Sequence, residues 1–140
     1  MPRRTRRPAV GADPLTGLAG RGALAGLQTR HRVVAALLVD VVGLKATNER
    51  HGFSAGDRLL REAAESLRRL APDARVLVRL GGDELLAVFT GAAASTRAEA
   101  ARAAAACHGR PPLRAGCATL GREETITEFL DRLYALTRGR

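Results

Sequence analysis

The sequence predicts an α+β fold in which short strands form one antiparallel sheet and helices pack against it. Residues 33–42 (VVAALLVDVV) form a continuous apolar run broken only by Asp40, which is typical of a buried central strand. Gly81 and Gly82 separate two further apolar runs, and such a pair predicts a hairpin because glycine tolerates positive φ. Residues 54–70 carry apolar side chains on one helical face and charged side chains on the other. A length of 140 residues suits one domain with one core.

The elements follow each other in a regular order along the chain. A turn-rich segment, residues 13–18, leads into a short helix predicted for residues 21–29, and a polar connector at 43–52 holds another short helix. The hairpin strands are predicted at 74–80 and 84–90. The order helix, strand, helix, hairpin, helix, strand, helix predicts a sheet with helices on one face and the hairpin in the centre.

Two capping signals place the helices of the second half. Thr96 and Glu99 have capping-box spacing, which predicts a helix from Thr96 to about Cys107. Thr125 and Glu128 repeat this spacing and predict a last helix through Tyr134. A strand is predicted between these two helices, over residues 113–120.

The composition is strongly basic, which favours anionic partners. The chain has 23 basic and 14 acidic residues, a net charge of +9, and Lys45 is its single lysine. Residues 1–12 (MPRRTRRPAVGA) have no periodicity and are predicted to be a flexible basic arm before a domain at 13–140. The charge also fits a nucleic-acid-binding protein, but with 3% aromatic residues the chain lacks a platform for stacking bases.

The sequence carries no sign of export or of membrane insertion. The N-terminal arginines are not followed by an apolar run, and no stretch approaches the roughly 18 apolar residues of a membrane span. The two cysteines, Cys107 and Cys117, are not in a CxxC pair and are predicted to be free thiols. We therefore expect a cytoplasmic protein without a membrane partner.

Three acidic residues are predicted to meet at one edge of the sheet. Asp40 ends the first strand, and Asp83 and Glu84 lie at the hairpin turn, so neighbouring strands would bring the carboxylates together. Three close carboxylates repel each other and need a cation, and their oxygen atoms suit Mg²⁺ better than zinc. Lys45 follows five residues after Asp40 and could reach a phosphate group.

Two polar residues flank the connector after the first strand. Asn48 and Asp57 together could recognise the edge of a purine, because guanine offers N–H donors to a carboxylate. The spacing equally allows an ordinary hairpin with solvated acids, a helix-capping Asp57 and a surface Lys45. The residues alone leave both interpretations open.

Taken together, these motifs resemble the GGDEF domain of diguanylate cyclases over residues 13–140. The matching segments occur in the order of that family: DPLTGL with Arg21, DVVGLKATNERHGFSAGD at 40–57, RLGGDEL at 79–85, the strand at 113–120, and Leu133-Tyr134. The resemblance implies a nucleotide-cyclase-like (ferredoxin-like) fold with a central antiparallel sheet. It also implies that two GTP molecules, one on each subunit of a homodimer, are condensed into cyclic di-GMP.

The resemblance assigns a role to each site residue. Mg²⁺ (or Mn²⁺) would be held by Asp40, the backbone carbonyl of Val41 and Asp83, with Glu84 as a further ligand. Asp83 would also be the general base, which makes Asp83, Glu84 and Lys45 the expected catalytic residues. The expected GTP-binding residues are Asn48 and Asp57 at guanine, Lys45 at the phosphates, and Gly81 and Gly82 beside the triphosphate.

Several positions depart from the family pattern. Val42 replaces an acid, Phe53 a histidine, Leu85 the phenylalanine of the signature, and Thr137 a lysine of the last helix. These departures favour an alternative, a degenerate non-catalytic module that binds GTP or a protein partner in cyclic di-GMP signalling. The family's product-inhibition motif is expected to be absent, because Pro72 and Arg75 occupy its positions. No sensory domain is expected to be attached, so control of dimerisation would come from a separate sensory or regulatory protein or be absent.

Overall fold

The computed structural model describes residues 11–139, and these contain four strands and five α-helices. Most of the basic arm predicted for residues 1–12 therefore lies outside the described residues. A 3₁₀ turn, Arg21–Leu24, precedes the first α-helix. The strands are β1 (Val34–Val41), β2 (Val76–Gly81), β3 (Glu84–Thr90) and β4 (Leu113–Thr119). The helices are α1 (Leu27–Arg30), α2 (Leu44–His51), α3 (Phe53–Leu70), α4 (Ala94–His108) and α5 (Ile126–Thr137).

The four strands form one antiparallel sheet in the order β2-β3-β1-β4. β1 is central, with Leu37 opposite Ala87 on β3 and opposite Cys117 on β4. The buried central strand and the α+β class predicted from the sequence are confirmed. Of the two hairpin strands only β3 lies inside the sheet, since β2 forms its edge.

Helices cover both faces of the sheet, so the prediction of helices on one face is wrong. Leu37 and Val39 of β1 belong to a core shared with α3 and α4. Ala36 and Leu38 point the other way, into a core shared with α5 and the 3₁₀ turn. The physical reason lies in β1 itself, because this strand is apolar at every position except Asp40 and must be covered on both faces.

Two of the predicted helices also differ from the structure. Residues 21–29 do not form one helix, because Gly26 adopts a φ of 73° and separates the 3₁₀ turn from α1. The fourth helix begins at Ala94, before the predicted Thr96, and its N-cap residue Ala93 offers no side-chain hydrogen bond. The second capping box, between Thr125 and Glu128, is confirmed in both directions.

The amphipathic helix α3 lies where the sequence predicts it. Its buried side chains include Leu60, Ala63 and Leu67, and these pack onto the sheet. Arg68 pairs with Glu65 and also donates to the backbone carbonyl of Thr16, at 2.8 Å. Within residues 11–139, no helix is long and apolar enough to cross a membrane.

Candidate functional site

The three predicted acids meet where β1 ends beside the β2–β3 turn. Asp40 lies directly opposite Glu84 in the β1–β3 register. The backbone N–H of Val41 donates to the carbonyl of Asp83 at 3.0 Å, which fixes the turn against the end of β1. The antiparallel pairing therefore brings Asp40, Asp83 and Glu84 to one edge of the sheet, as the sequence predicts.

Asp40 is electrostatically strained in the absence of a cation. Burial raises the pKa of its carboxyl group to about 7, assisted by hydrogen bonding with Asp83 and by repulsion from Asp83 and Glu84. Arg114, its neighbour on β4, opposes this shift of the pKa. The Oδ1 atom of Asp40 is buried and has no hydrogen-bond partner among the residues that the structure describes. A cation bound here would supply that partner and relieve the repulsion.

One carboxylate oxygen of Glu84 is engaged by the last helix. The hydroxyl of Tyr134 on α5 donates to Oε2 of Glu84 at 2.5 Å. Burial and the contact with Glu84 raise the pKa of Tyr134 to about 12, so the hydroxyl keeps its proton at neutral pH. Across residues 11–139, no group of three or more His, Cys, Asp or Glu side chains is arranged to hold a metal ion. Asp40 and Asp83 are the two aspartates that line the cleft at this end of the sheet.

Two adjoining clefts extend from this carboxylate pair. The first, of about 500 Å³, is lined by both aspartates together with Val41, Lys45 and Arg114. The second, of about 470 Å³, lies between α2, the start of α3 and the hairpin turn. Both volumes fall in the range of small-molecule sites. The second cleft is lined by Leu44, Lys45, Asn48, Glu49, Phe53, Gly82 and Asp83.

The side chain of Asn48 is positioned by a glycine on the next helix. A Cβ atom at Gly56 would lie 1.7 Å from Oδ1 of Asn48, so the amide packs directly on the bare backbone of α3. Asn48 faces the second cleft, as expected for a ligand contact. Asp57, predicted as its partner, lines neither of the two clefts.

The hairpin turn is braced by the turn-rich segment near the start of the domain. Arg79 donates to the carbonyl of Gly82 at 3.0 Å and to the carboxylate of Asp13 at 3.1 Å. That carboxylate also accepts hydrogen bonds from the backbone N–H and the hydroxyl of Thr16.

Neither Gly81 nor Gly82 has a positive φ, so the positive φ that the sequence suggested as the reason for this glycine pair is wrong. Both glycines border open space instead, since a Cβ at either would meet no atom within 4 Å.

Three contributors to the site lacked a role in the sequence analysis. Arg114 lines the first cleft, Tyr134 holds Glu84, and Phe53 is 79% exposed beside the second cleft. A motif in the last helix already contained Tyr134, but its contact depends on how α5 crosses the sheet. Thr137, which stands in place of a lysine, is buried and donates to the carbonyl of Leu133. Thr137 therefore cannot provide the positive charge that a lysine at this position would offer to a ligand.

Comparison with known proteins gives consistent matches. A family described as "Diguanylate cyclase, GGDEF domain" matches residues 10–113. An uncharacterised protein in the hutH 5′ region of Streptomyces griseus is 42% identical over 90 residues, covering 56% of this chain and 37% of that protein. The probable diguanylate cyclase DgcE of Escherichia coli is 38% identical over 80 residues, covering 51% of this chain and 7% of that protein. The chain thus spans well under half of either relative.

A solved structure supports the fold. The crystal structure of the GGDEF domain of DgcB from Caulobacter crescentus in complex with c-di-GMP matches with a TM-score of 0.74. The match covers 96% of this chain and 91% of that chain at 24% sequence identity. At that identity the likeness establishes the fold.

Proposed function

The chain belongs to the GGDEF domain family of diguanylate cyclases, and from this premise we propose that it condenses two GTP molecules into cyclic di-GMP. The observation that carries the proposal is that Asp40 and Asp83 line one cleft together with Lys45. A partly buried carboxylate pair favours a divalent cation, and an adjacent lysine favours phosphate. Metal-assisted phosphoryl chemistry needs both of these features.

The metal that fits this donor set is Mg²⁺, or Mn²⁺ in its place. Its ligands would be the carboxylates of Asp40 and Asp83 and the backbone carbonyl of Val41. Tyr134 engages one oxygen of Glu84, so the other oxygen would serve as a further ligand. The unpartnered oxygen of Asp40 supports this assignment. When bound, the ion would neutralise the phosphate charge and orient the triphosphate.

The substrate contacts follow the two clefts. Lys45 lines both of them and would hold the phosphates of GTP. Asn48 would bind the guanine, and Asp57 would join it from α3 once the base is bound. The open space beside Gly81 and Gly82 would let the triphosphate approach the backbone of the turn.

The reaction needs two subunits, because each would hold one GTP. Two-fold pairing would place the 3′-hydroxyl of one nucleotide in line with the α-phosphate of the other. Asp83 would accept the hydroxyl proton as the new P–O bond forms. The bond between the α-phosphorus and the oxygen leading to the β-phosphate would break, releasing pyrophosphate. Two such steps close the ring of cyclic di-GMP.

The direct test is product analysis with an isosteric variant of Asp83. Wild-type protein incubated with GTP and Mg²⁺ should form cyclic di-GMP, and Asp83→Asn should reduce its formation by at least a hundredfold. Asp131→Asn is the matched control, because Asp131 is an exposed aspartate on α5, outside both clefts. Equal formation of cyclic di-GMP by wild type and Asp83→Asn would show that Asp83 takes no part in the reaction.

A second candidate function is a non-catalytic GTP-binding module. It is favoured by Thr137, which is buried where the family pattern has a lysine, and by the engagement of Glu84 with Tyr134. For this candidate, GTP should bind with Mg²⁺ at the two clefts, and Asn48→Ala should weaken the binding. No cyclic di-GMP should form at any protein concentration.

A further inference from the structure

A second concave region lies at the opposite end of the sheet from Asp40 and Asp83. Two adjoining clefts, of about 880 Å³ and about 370 Å³, share His31, Arg32 and Arg122 in their walls. The larger cleft adds Arg30 and Arg75. These residues lie just before β1, just before β2 and just after β4, which places them at the far edge of the sheet. We call the combined region the arginine cleft.

The positive charge of the arginine cleft is not balanced by neighbouring acids. Among residues 11–139, four arginines and no carboxylate line the two clefts. None of the four forms a salt bridge within residues 11–139. Elsewhere in this part of the chain some arginines pair with acids, as in Arg132 with Glu124, and others do not, so what distinguishes the cleft is that four arginines share its walls. Concentrated charge of one sign favours a ligand of the opposite sign.

A polar atom in the same region lacks a partner. The Nε2 atom of His31 is buried and makes no hydrogen bond to any atom of the described part of the chain. Loss of solvation lowers the pKa of His31, and repulsion from Arg75 and Arg30 lowers it further. A buried polar nitrogen without a partner is unfavourable. The negative charge of an anion in the cleft would offset the repulsion between His31 and these arginines.

The N-terminus of α4 adds backbone donors at the rim. Thr90, Gly91 and Ala92, which immediately precede this 15-residue helix, line the larger cleft. No side chain caps the helix, and its first turn contains no acidic residue. The free amide groups and the positive end of the helix dipole are therefore available to an anion.

We propose that the arginine cleft binds a small anion with two or more linked phosphate groups, such as a free polyphosphate or the polyphosphate of a nucleotide. Guanidinium groups bind phosphate oxygens in pairs, and four of them provide more charge than one phosphate requires. The concave shape suits a compact ligand better than an extended nucleic acid. The proposal does not depend on cyclase activity, because it uses none of the residues of the first site.

The test uses inorganic tripolyphosphate as the probe, without divalent metal, on the full chain. Nuclear magnetic resonance should show shifts of the His31 ring and of the Ser95 and Thr96 amide groups. Titration calorimetry should give binding at least tenfold tighter than that of sulfate at equal ionic strength. Free GTP without metal should compete for the same signals if a nucleotide is accepted, and fail to compete if the cleft takes only free polyphosphate. Shifts centred on Lys45 and Asp83 would overturn the proposal.

Paired charge variants distinguish specific binding at the arginine cleft from non-specific electrostatic attraction. Arg75→Gln with Arg122→Gln should weaken tripolyphosphate binding at least tenfold, whereas Arg58→Gln with Arg61→Gln should change it less than twofold. The control pair lies on the exposed face of α3 and removes the same charge. Equal weakening by both pairs would mean non-specific attraction and would overturn the proposal. The proposal would also be overturned if an oligonucleotide bound to the cleft and tripolyphosphate did not displace it. Asp83→Asn should leave binding unchanged, which separates this site from the proposed cyclase site.

Discussion

At the scale of single residues, Asp40 combines a cost to stability with an expected role in binding. Its carboxyl group lies beside Asp83 and Glu84, and burial is the largest cause of its raised pKa. A protein selected only for stability would not retain an unpartnered charge at this position. The same arrangement becomes favourable when a divalent cation is present. We therefore expect substitutions of Asp40 to have opposite effects on stability and on metal binding.

Asp40→Asn should stabilise the metal-free protein above pH 7 and abolish Mg²⁺ binding. Because the pKa of Asp40 is about 7 in the folded protein and lower in the unfolded chain, ionisation destabilises the fold progressively between about pH 4 and pH 7. Asparagine removes that cost and should raise the free energy of unfolding at pH 8. We expect an increase of only about 1 kcal/mol, because water screens part of the repulsion. Near pH 3.5 the gain should vanish.

Denaturant unfolding at the two pH values, with and without Mg²⁺, measures this effect. Asp131→Asn serves as the control for general effects of charge. A variant that is less stable than wild type at pH 8 without metal would contradict the electrostatic description of Asp40.

For single residues, the sequence predicted the positions of the acidic side chains better than the residues that they contact. Asp40, Asp83 and Lys45 were found from spacing, because strand ends and turns have fixed positions along the chain. The bond between Tyr134 and Glu84 was not predicted, because it joins residues 50 positions apart. Asp57 was expected beside Asn48, but the orientation of α3 leaves it outside both clefts.

At the scale of elements, the contact between α2 and α3 controls the position of Asn48. Gly56→Ala should weaken GTP binding by about tenfold, because the added Cβ would lie 1.7 Å from Oδ1 of Asn48 and displace its side chain. Alanine also favours the helix by about 1 kcal/mol, so global stability should change little. Titration of GTP in the presence of Mg²⁺ measures the effect.

A matched control is available for this substitution. Gly22→Ala adds the same methyl group where no atom lies within 4 Å. It should leave GTP affinity within twofold of wild type. Unchanged affinity in Gly56→Ala would show that Asn48 does not contact the nucleotide.

The link between the turn-rich segment and the hairpin turn gives a second prediction at this scale. Asp13→Asn should destabilise the fold by about 1–2 kcal/mol, because it weakens the bonds from Thr16 and Arg79. Burial alone would raise the pKa of Asp13, but the hydrogen bonds from Thr16 and the charge of Arg79 lower it overall. The loss of stability relative to wild type should therefore reach its full size above pH 4, and it should disappear as the pH falls below 4.

Thermal unfolding across this pH range measures the difference. Hydrogen exchange at Gly82 and Asp83 should also accelerate in Asp13→Asn, because Arg79 would no longer be held against the turn. A turn that exchanges as slowly as in wild type would contradict the proposed brace.

Element types were predicted more reliably than their packing. The run VVAALLVDVV and the amphipathic pattern of α3 identified their elements, because both patterns depend on local periodicity. The same apolar run also implied a strand covered on both faces, yet helices were expected on one. The predicted Thr96 cap failed because Glu99 binds Arg102 and Cys117 instead. Such competition depends on packing between α4 and β4, which no single segment encodes.

At the scale of the whole molecule, charge is divided between the two ends of the sheet. The acidic pair Asp40 and Asp83 lies at one end, and the arginines of the arginine cleft lie at the other. A net charge of +9 does not reveal this separation, because composition carries no spatial information. The basic balance favours anionic ligands, and we propose that they bind at these two places.

The central claim is that two copies of this chain cooperate in forming cyclic di-GMP, and one measurement tests it most directly. GTP and Mg²⁺ are incubated with a series of protein concentrations, and cyclic di-GMP and pyrophosphate are quantified together. We predict two pyrophosphates for each cyclic di-GMP, and a rate per subunit that rises with protein concentration until the dimer is saturated. GTP that remains unconsumed at every concentration, with the protein folded and GTP bound, would contradict the claim and identify a non-catalytic module.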